Sequence, residues 1–315
     1  MPFTDAYRDQ VALLIRILPF VAEEDSFALK GGTAINLFHR NMPRLSVDID
    51  LTYLTISPRE ESLADIDAAI KRIAQRIREA LPKGRVDEGA IKPENTVTKL
   101  LVRERRAQVK IEVTPVLRGC VYSPEIRQVS PAVEDAFGFA EMRVVSFADL
   151  YAGKIVAALD RQHPRDLFDV RALLANEGID EALRRAFIVY VLSHERPIAE
   201  LLAPTRKPLA NEFSRGFAGM IAEPVTIEEL ESVREALIGN IVGKMPKLHR
   251  RFLLSFKRGD PEWALLDILG AKDLPAVRWK QANLDKLSAE ARRAAVAKLD
   301  SILLAGGDLA GLAGA

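Results

Sequence analysis

Between Lys30 and Leu54 the chain reads KGGTAINLFHRNMPRLSVDIDLTYL, and the end of this segment restricts the local structure most. Val47, Ile49, Leu51 and Tyr53 alternate there with Ser46, Asp48, Asp50 and Thr52. A period of two predicts a strand with one buried face and puts both aspartates on the other face. Upstream, Ser26 to Lys30 is a short apolar run ended by Gly31 and Gly32, and beyond Thr33 the residues Ala34, Leu37 and Phe38 follow helical spacing. The order is strand, glycine turn, helix, then a strand carrying DID.

The rest of the chain sorts by the same periodicities. Val11, Leu14, Ile15, Leu18 and Val21 predict a helix from Asp5 to about Glu24, with Thr4 as its cap and Pro19 as a kink. Pro58 to Leu81 reads as a long helix with acids early and Lys71, Arg72, Arg76 and Arg78 late, as the helix dipole prefers. Strands are expected at Thr96 to Arg103, at Ala107 to Pro115 and near Glu141 to Val145. In the second of these, Lys110, Glu112 and Thr114 share the polar face, so Glu112 could emerge beside the two aspartates if the strands pair. From Phe147 onward the pattern is almost wholly helical, with helices expected at Phe147 to Arg161 and Arg165 to Asn176.

These elements predict an α+β fold: a small mixed β-sheet core flanked by helices, followed by a mainly α-helical C-terminal domain. A chain of 315 residues has room for two domains. The proline-bearing stretch Pro197 to Pro208 suggests a boundary between residues 1–196 and 197–315.

With a formal net charge of +1, binding to nucleic acid must rest on local basic patches. The one cysteine, Cys120, excludes an internal disulfide or a thiolate metal cluster and is read as structural. The start MPFTDAYRDQ lacks the basic and apolar regions of a signal peptide, and no stretch approaches the about 20 apolar residues of a membrane span. A cytoplasmic protein without membrane association is expected.

The carboxylates suggest metal-assisted phosphate chemistry. Residues at i and i+2 of a strand point the same way about 6.6 Å apart. Asp48 and Asp50 can therefore straddle one or two cations, and Mg²⁺ suits sparse carboxylate ligation because it keeps waters and takes phosphate oxygens. Gly31 and Gly32 allow close backbone approach, and the helix start after them offers amides, with the Thr33 hydroxyl, to triphosphate oxygens. Singly, a GGT is usually a turn, a DxD a solvated strand face and Glu112 a surface acid. Their order and spacing together favour function. Competing motifs fail: ALKGGTA is not a P-loop, no GxGxxG follows a strand, and HPRDLFDV lacks the spacing of a kinase catalytic loop. With four histidines and one cysteine a zinc site is disfavoured.

GGTAINL, RLSVDIDL, KIEVTP and AGKIVAALDRQHPRDLFDV together resemble the AbiEii/AbiGii-type nucleotidyltransferase toxins, including the MenT group, over about residues 25 to 175. The first motif is shared across the DNA polymerase β-like superfamily, while the last is more particular to the toxins. The resemblance implies that residues 1–196 form the nucleotidyltransferase domain. It implies that Gly32 and Thr33 bind phosphate, that Asp48 and Asp50 hold Mg²⁺, with Mn²⁺ able to replace it, and that Arg44 supports the nucleotide site. Glu112 stands where the superfamily often has a third metal-binding carboxylate. Lys154 matches a nucleotide-contacting, catalytic lysine, and Asp166 and Asp169 match the acids of an RDxxD element, Asp166 being the catalytic candidate. For both acids a structural salt bridge is an equal reading.

The activity implied is transfer of a nucleoside monophosphate from an NTP, by attack of an acceptor hydroxyl on the α-phosphate, with tRNA 3′ ends as first candidate acceptor and a cognate antitoxin as partner. A transferase for a small molecule or protein hydroxyl, and a nucleotide-binding protein without turnover, are the competing readings. From Gly243 to Arg258 six basic residues occur with Phe252 and Phe256 and no acid. This segment suits RNA, but an amphipathic helix burying Phe252, Leu253 and Phe256 is favoured.

Overall fold

A computed structural model describes residues 3–312, with only the backbone described at 216, 218 and 306–312. The chain forms two compact units, Met1–Ser146 with Ser214–Pro224, and Phe147–Phe213 with Val225–Ala315.

In the first unit, α1 (Asp5–Ala22) buries the expected stripe of Val11, Leu14, Ile15, Leu18 and Val21. The short strand β1 (Phe27–Lys30) runs directly into the helical segment α2, a turn at Gly31–Thr33 continued by the π-helical Ala34–His39. Strand β2 (Asp48–Tyr53) then buries Ile49 and Leu51 completely and leaves Asp48 and Asp50 half-buried. Burying each such aliphatic side chain stabilises by about 1.5–3 kcal/mol relative to exposure. Helix α3 (Arg59–Ala80) starts after Pro58, which stands at the N-cap, with Glu60 and Glu61 in its first turn and Arg78 in its last.

The sheet continues with β3 (Arg85–Ile91), β4 (Thr96–Glu104), β5 (Ala107–Val113) and β6 (Glu125–Gln128). Helix α4 (Pro131–Phe137) and β7 (Glu141–Val144) complete it. Its order is β3-β4-β5-β2-β1-β7-β6, with β2 parallel to β5, β1 parallel to β7 and the other neighbours antiparallel. This is the mixed sheet expected, with α1 packed on β5 and β7 and α3 on β3 and β4. The two strands that periodicity does not predict, β3 and β6, are the sheet's edges. RVDEGAI and EIRQ each have a face in water, and charged residues blunt the free edges.

The second unit is helical. It comprises α5 (Phe147–Asp160), α6 (Pro164–Asn176), α7 (Glu181–Ser193), α8 (Ile198–Leu202) and α9 (Ala210–Gly216), whose last residues pass into the first unit. It continues with α10 (Ile227–Ile238), α11 (Lys247–Arg258), α12 (Pro275–Asp285) and α13 (Ala289–Leu312). Helix starts carry strong local signals. Asp180 accepts from the Leu183 amide at 2.8 Å, and Thr226 and Glu229 form a capping box.

Division by packing falls after Ser146 rather than at the 196/197 position suggested by the prolines. Pro197 is the N-cap of α8, and Gln162 Nε2 donates to the Thr205 carbonyl at 2.8 Å, so the proline stretch is part of the helical unit. Among the described residues no helix is long and apolar enough to cross a membrane.

Candidate active site

The antiparallel register of β1 on β2 sets Lys30 opposite Asp50, so the glycine turn begins beside the second aspartate. Gly31 has φ +76°, and a Cβ there would lie 2.6 Å from Asp50 Oδ2. A Cβ on Gly32 would lie 2.7 Å from Arg44 Nη2 and 2.9 Å from Ser46 Oγ. A side chain at Gly31 would displace the Asp50 carboxylate and one at Gly32 the Arg44 guanidinium and Ser46 hydroxyl, and Gly31 is favoured by its backbone angle as well. The fully buried Thr33 bonds through Oγ1 to the Asp48 carbonyl and to Ser46 Oγ, the latter at 3.0 Å. The hydroxyl that sequence reasoning offers to phosphate therefore ties the turn to the start of β2.

Arg44 is buried, and its Nη1 donates to the Leu45 carbonyl at 2.9 Å. Its loop is held by the segment that returns to this unit. Arg44 bridges Ile221, the Leu45 amide donates to Met220 O at 2.7 Å, and the Ala222 amide donates to Pro43 O at 2.9 Å. Nothing in the spacing of the Lys30 to Leu54 motif signals this partner, which lies about 175 residues downstream.

On the other side of β2, the parallel register sets Asp48 beside Lys110 and Asp50 beside Glu112. Glu112 is therefore a neighbour of the aspartate pair, but Lys110 Nζ holds its Oε2 at 2.7 Å. Burial works against the Lys110 ammonium, yet the bond to Glu112 and the charges of Asp48 and Asp50 hold it above the ordinary lysine range. Lys30 is the reverse case: burial pulls it below that range despite Asp50, Cys120 and Glu112. Its Nζ donates to Thr114 Oγ1 at 3.3 Å.

Among the described residues no group of three or more His, Cys, Asp or Glu side chains forms a ready metal cage. The donor set at β2 is the pair Asp48 and Asp50, with Glu112 engaged by Lys110. Two carboxylates facing one way fit Mg²⁺, which completes its shell with water and phosphate oxygens.

In the helical unit, Lys154 on α5 binds Asp166 Oδ1 at 2.8 Å and Asp169 Oδ2 at 2.9 Å, both acids lying on α6. Arg161 adds a two-pronged contact to Asp166, at 2.5 and 2.9 Å. Lys154 and both acids are buried, and two cations balance two anions. Burial would raise the Asp166 pKa, but Lys154 and Arg161 hold it well below the usual carboxylate range. An acid held so firmly ionised is a poor general base and a strong anchor. The preceding HP supplies the helix start: His163 Nδ1 accepts from the Arg165 amide at 3.1 Å and Pro164 opens α6.

Residues 12–283 match the family model described as nucleotidyl transferase AbiEii toxin, type IV toxin–antitoxin system. The chain belongs to this AbiEii toxin family. It is accordingly a nucleotidyltransferase of the toxin–antitoxin kind. Among solved structures it is similar to MenT4, a nucleotidyltransferase toxin from Mycobacterium tuberculosis H37Rv, with a TM-score of 0.59 and 17% identity. That similarity covers 88% of this chain and 93% of the other, and it is a likeness of fold. No curated protein matches.

Family membership leaves the basic segment to geometry. Phe252 and Phe256 of α11 are fully buried, with ring centroids 5.1 and 6.2 Å from that of Trp263. Arg250 donates to the carbonyls of Met245, Leu303 and Gly243, and Arg251 pairs with Glu262. In this AbiEii chain the aromatics of α11 are core residues, and two of its arginines are committed within the helical unit.

Proposed function

We propose that this toxin transfers a nucleoside monophosphate from an NTP to the 3′ end of tRNA in the cytoplasm, and that a cognate antitoxin restrains it. The observation that carries the reading is the apposition of the Gly31–Gly32 turn to Asp50 and Arg44 within the shared register of β1, β2 and β5. In this reading the amides around Gly32 and the Arg44 guanidinium hold the triphosphate. Asp48 and Asp50 hold Mg²⁺, which, when bound, neutralises phosphate charge and steadies the attacking and leaving oxygens. Glu112 and Lys110 form a neutral pair that keeps the carboxylate side of the site in place. The acceptor hydroxyl attacks the α-phosphorus in line and loses its proton to solvent as the new P–O bond forms, and the bond to the bridging oxygen breaks to release pyrophosphate. Lys154, Asp166 and Asp169 act as a positioning cluster that fixes α5 to α6.

The test is incubation of purified protein with each labelled NTP, Mg²⁺ and total RNA. Label on the 3′ end of tRNA is expected. Label on protein, on an added aminoglycoside, or on no acceptor overturns the tRNA assignment.

A further inference from the structure

The loop after β5 contains a buried cation that the reaction above does not use. Arg118 is 7% exposed, and its guanidinium offers five N–H donors. Among the described residues one bond uses them: Nη1 reaches the Ser57 carbonyl at 3.4 Å, while Nε is buried with no partner there. Among the described residues no carboxylate pairs with it. Buried guanidinium groups are ordinarily matched by carboxylates or by several carbonyls, as Arg250 is here. The exposed Arg59 adds positive charge nearby and is itself paired with Glu94 at 2.8 Å. Burial and the charge of Arg59 both lower the Arg118 pKa, with only Tyr53 opposing.

Ser57 leads into α3, whose N-cap is Pro58 and whose first turn therefore has no capping side chain. A buried, under-satisfied guanidinium reaches Ser57 at the positive end of a 22-residue helix that carries Arg59 in its first turn. Glu60 and Glu61 in the same turn are exposed to water, which screens them. The place is near the catalytic strand but apart from it. Gly119 donates to the Tyr53 carbonyl at 2.8 Å, so Arg118 sits at the C-terminal end of β2. Tyr53 is three residues past Asp50, or about 10 Å along the strand.

We propose that Arg118, with Arg59 and the start of α3, holds a backbone phosphate of the acceptor strand. The assignment rests on the reading that the acceptor is RNA. It gives the acceptor an anchor separate from the Gly32 and Arg44 site of the NTP, and a planar fork suits a phosphodiester better than a point charge does.

The experiment compares the wild-type chain with Arg118→Met, measuring three quantities. These are the melting temperature in inorganic phosphate against chloride at equal ionic strength, the Kd of labelled tRNA as a function of salt, and the KM for NTP. Phosphate should raise the melting temperature of the wild type more than that of Arg118→Met, which keeps only the Gly32 and Arg44 site. In Arg118→Met the tRNA Kd should rise about tenfold and the salt slope fall by about 1, as for one lost phosphate contact, with the NTP KM within about twofold. Arg59→Gln, at an exposed position, should weaken tRNA in the same direction by less, and it carries the test if Arg118→Met does not fold. Unchanged tRNA affinity, or an NTP KM that rises in step with the tRNA Kd, overturns the proposal. So does a wild type that binds no RNA. If tRNA binds through Arg118 but receives no nucleotide, the anchor stands and the transfer reading falls. If transfer proceeds at wild-type affinity without Arg118, the reverse holds.

Discussion

A methyl group placed on Gly31 would lie 2.6 Å from the Oδ2 atom of Asp50. Because Gly31 also has φ +76°, Gly31→Ala adds a left-handed backbone strain of about 1–3 kcal/mol to that collision. The carboxylate is the mobile partner, so the expected result is a folded protein whose Asp50 is displaced. A shift of about 1 Å in a reacting group can cost about 100-fold in rate. Transfer measured at saturating NTP should fall by about that factor, with the circular dichroism spectrum retained. Near-wild-type turnover would show that the turn tolerates what the geometry forbids.

Asp48→Asn and Asp50→Asn test the metal assignment separately. Both side chains are half-buried on the polar face of β2, so neither change opens a cavity. Each should lower transfer by about 100-fold or more, the scale expected for losing one electrostatic stabiliser of the reaction. Chelation with EDTA should abolish activity, and Mg²⁺ or Mn²⁺ should restore it. Glu112→Gln is expected to be milder, since Glu112 is bonded to Lys110. Equal losses at all three acids would return Glu112 to the ligand set.

Lys154 pairs with two buried carboxylates, and the consequence is measurable without substrate. Asp166 has its pKa lowered in the folded state by Lys154 and Arg161 against the opposing effect of burial. A carboxylate depressed on folding contributes its full stability above its unfolded pKa, about 4, and loses it progressively as pH falls below that value. Urea unfolding between pH 7 and pH 3 should therefore show a drop that is smaller in Asp166→Asn. Lys154→Met removes the cation shared by two buried acids, leaving Arg161 on Asp166, and should cost about 3–5 kcal/mol at pH 7. A Lys154→Met variant as stable as wild type but inactive would make the lysine a catalytic group rather than an anchor.

Local chemistry explains which parts of this molecule are readable from its sequence. The β2 strand is interior, so alternation had to sort Ile49 and Leu51 from Asp48 and Asp50, and the pattern is unambiguous. Edge strands β3 and β6 obey no such demand, and their charged sequences give no strand signal. Glu112 is visible as a residue on a polar strand face, but its standing beside Asp50 depends on parallel pairing of β2 and β5, which periodicity does not encode. Phe252 and Phe256 show the limit of composition. Interleaved with arginines they suit stacked bases, yet their spacing of four puts both on one helix face, and that face is core. The compact units follow packing rather than prolines, since Pro197 only starts a helix.

The return segment is the least legible element, and it supplies the last prediction. The Ala222 amide donates to Pro43 O at 2.9 Å, one of the bonds that hold the Arg44 loop. Ile221 before it has φ −103° and ψ 144°, the extended conformation that a residue preceding proline prefers. Ala222→Pro should therefore delete this donor without a new demand on Ile221. A lost backbone bond is worth about 0.5–1.5 kcal/mol, so the protein should stay folded with a slightly lower melting temperature. If Ile221 and Ala222 set the position of Arg44, the KM for NTP should rise several-fold while binding of acceptor RNA is unchanged. An unaltered NTP KM would reduce the segment to a structural strap.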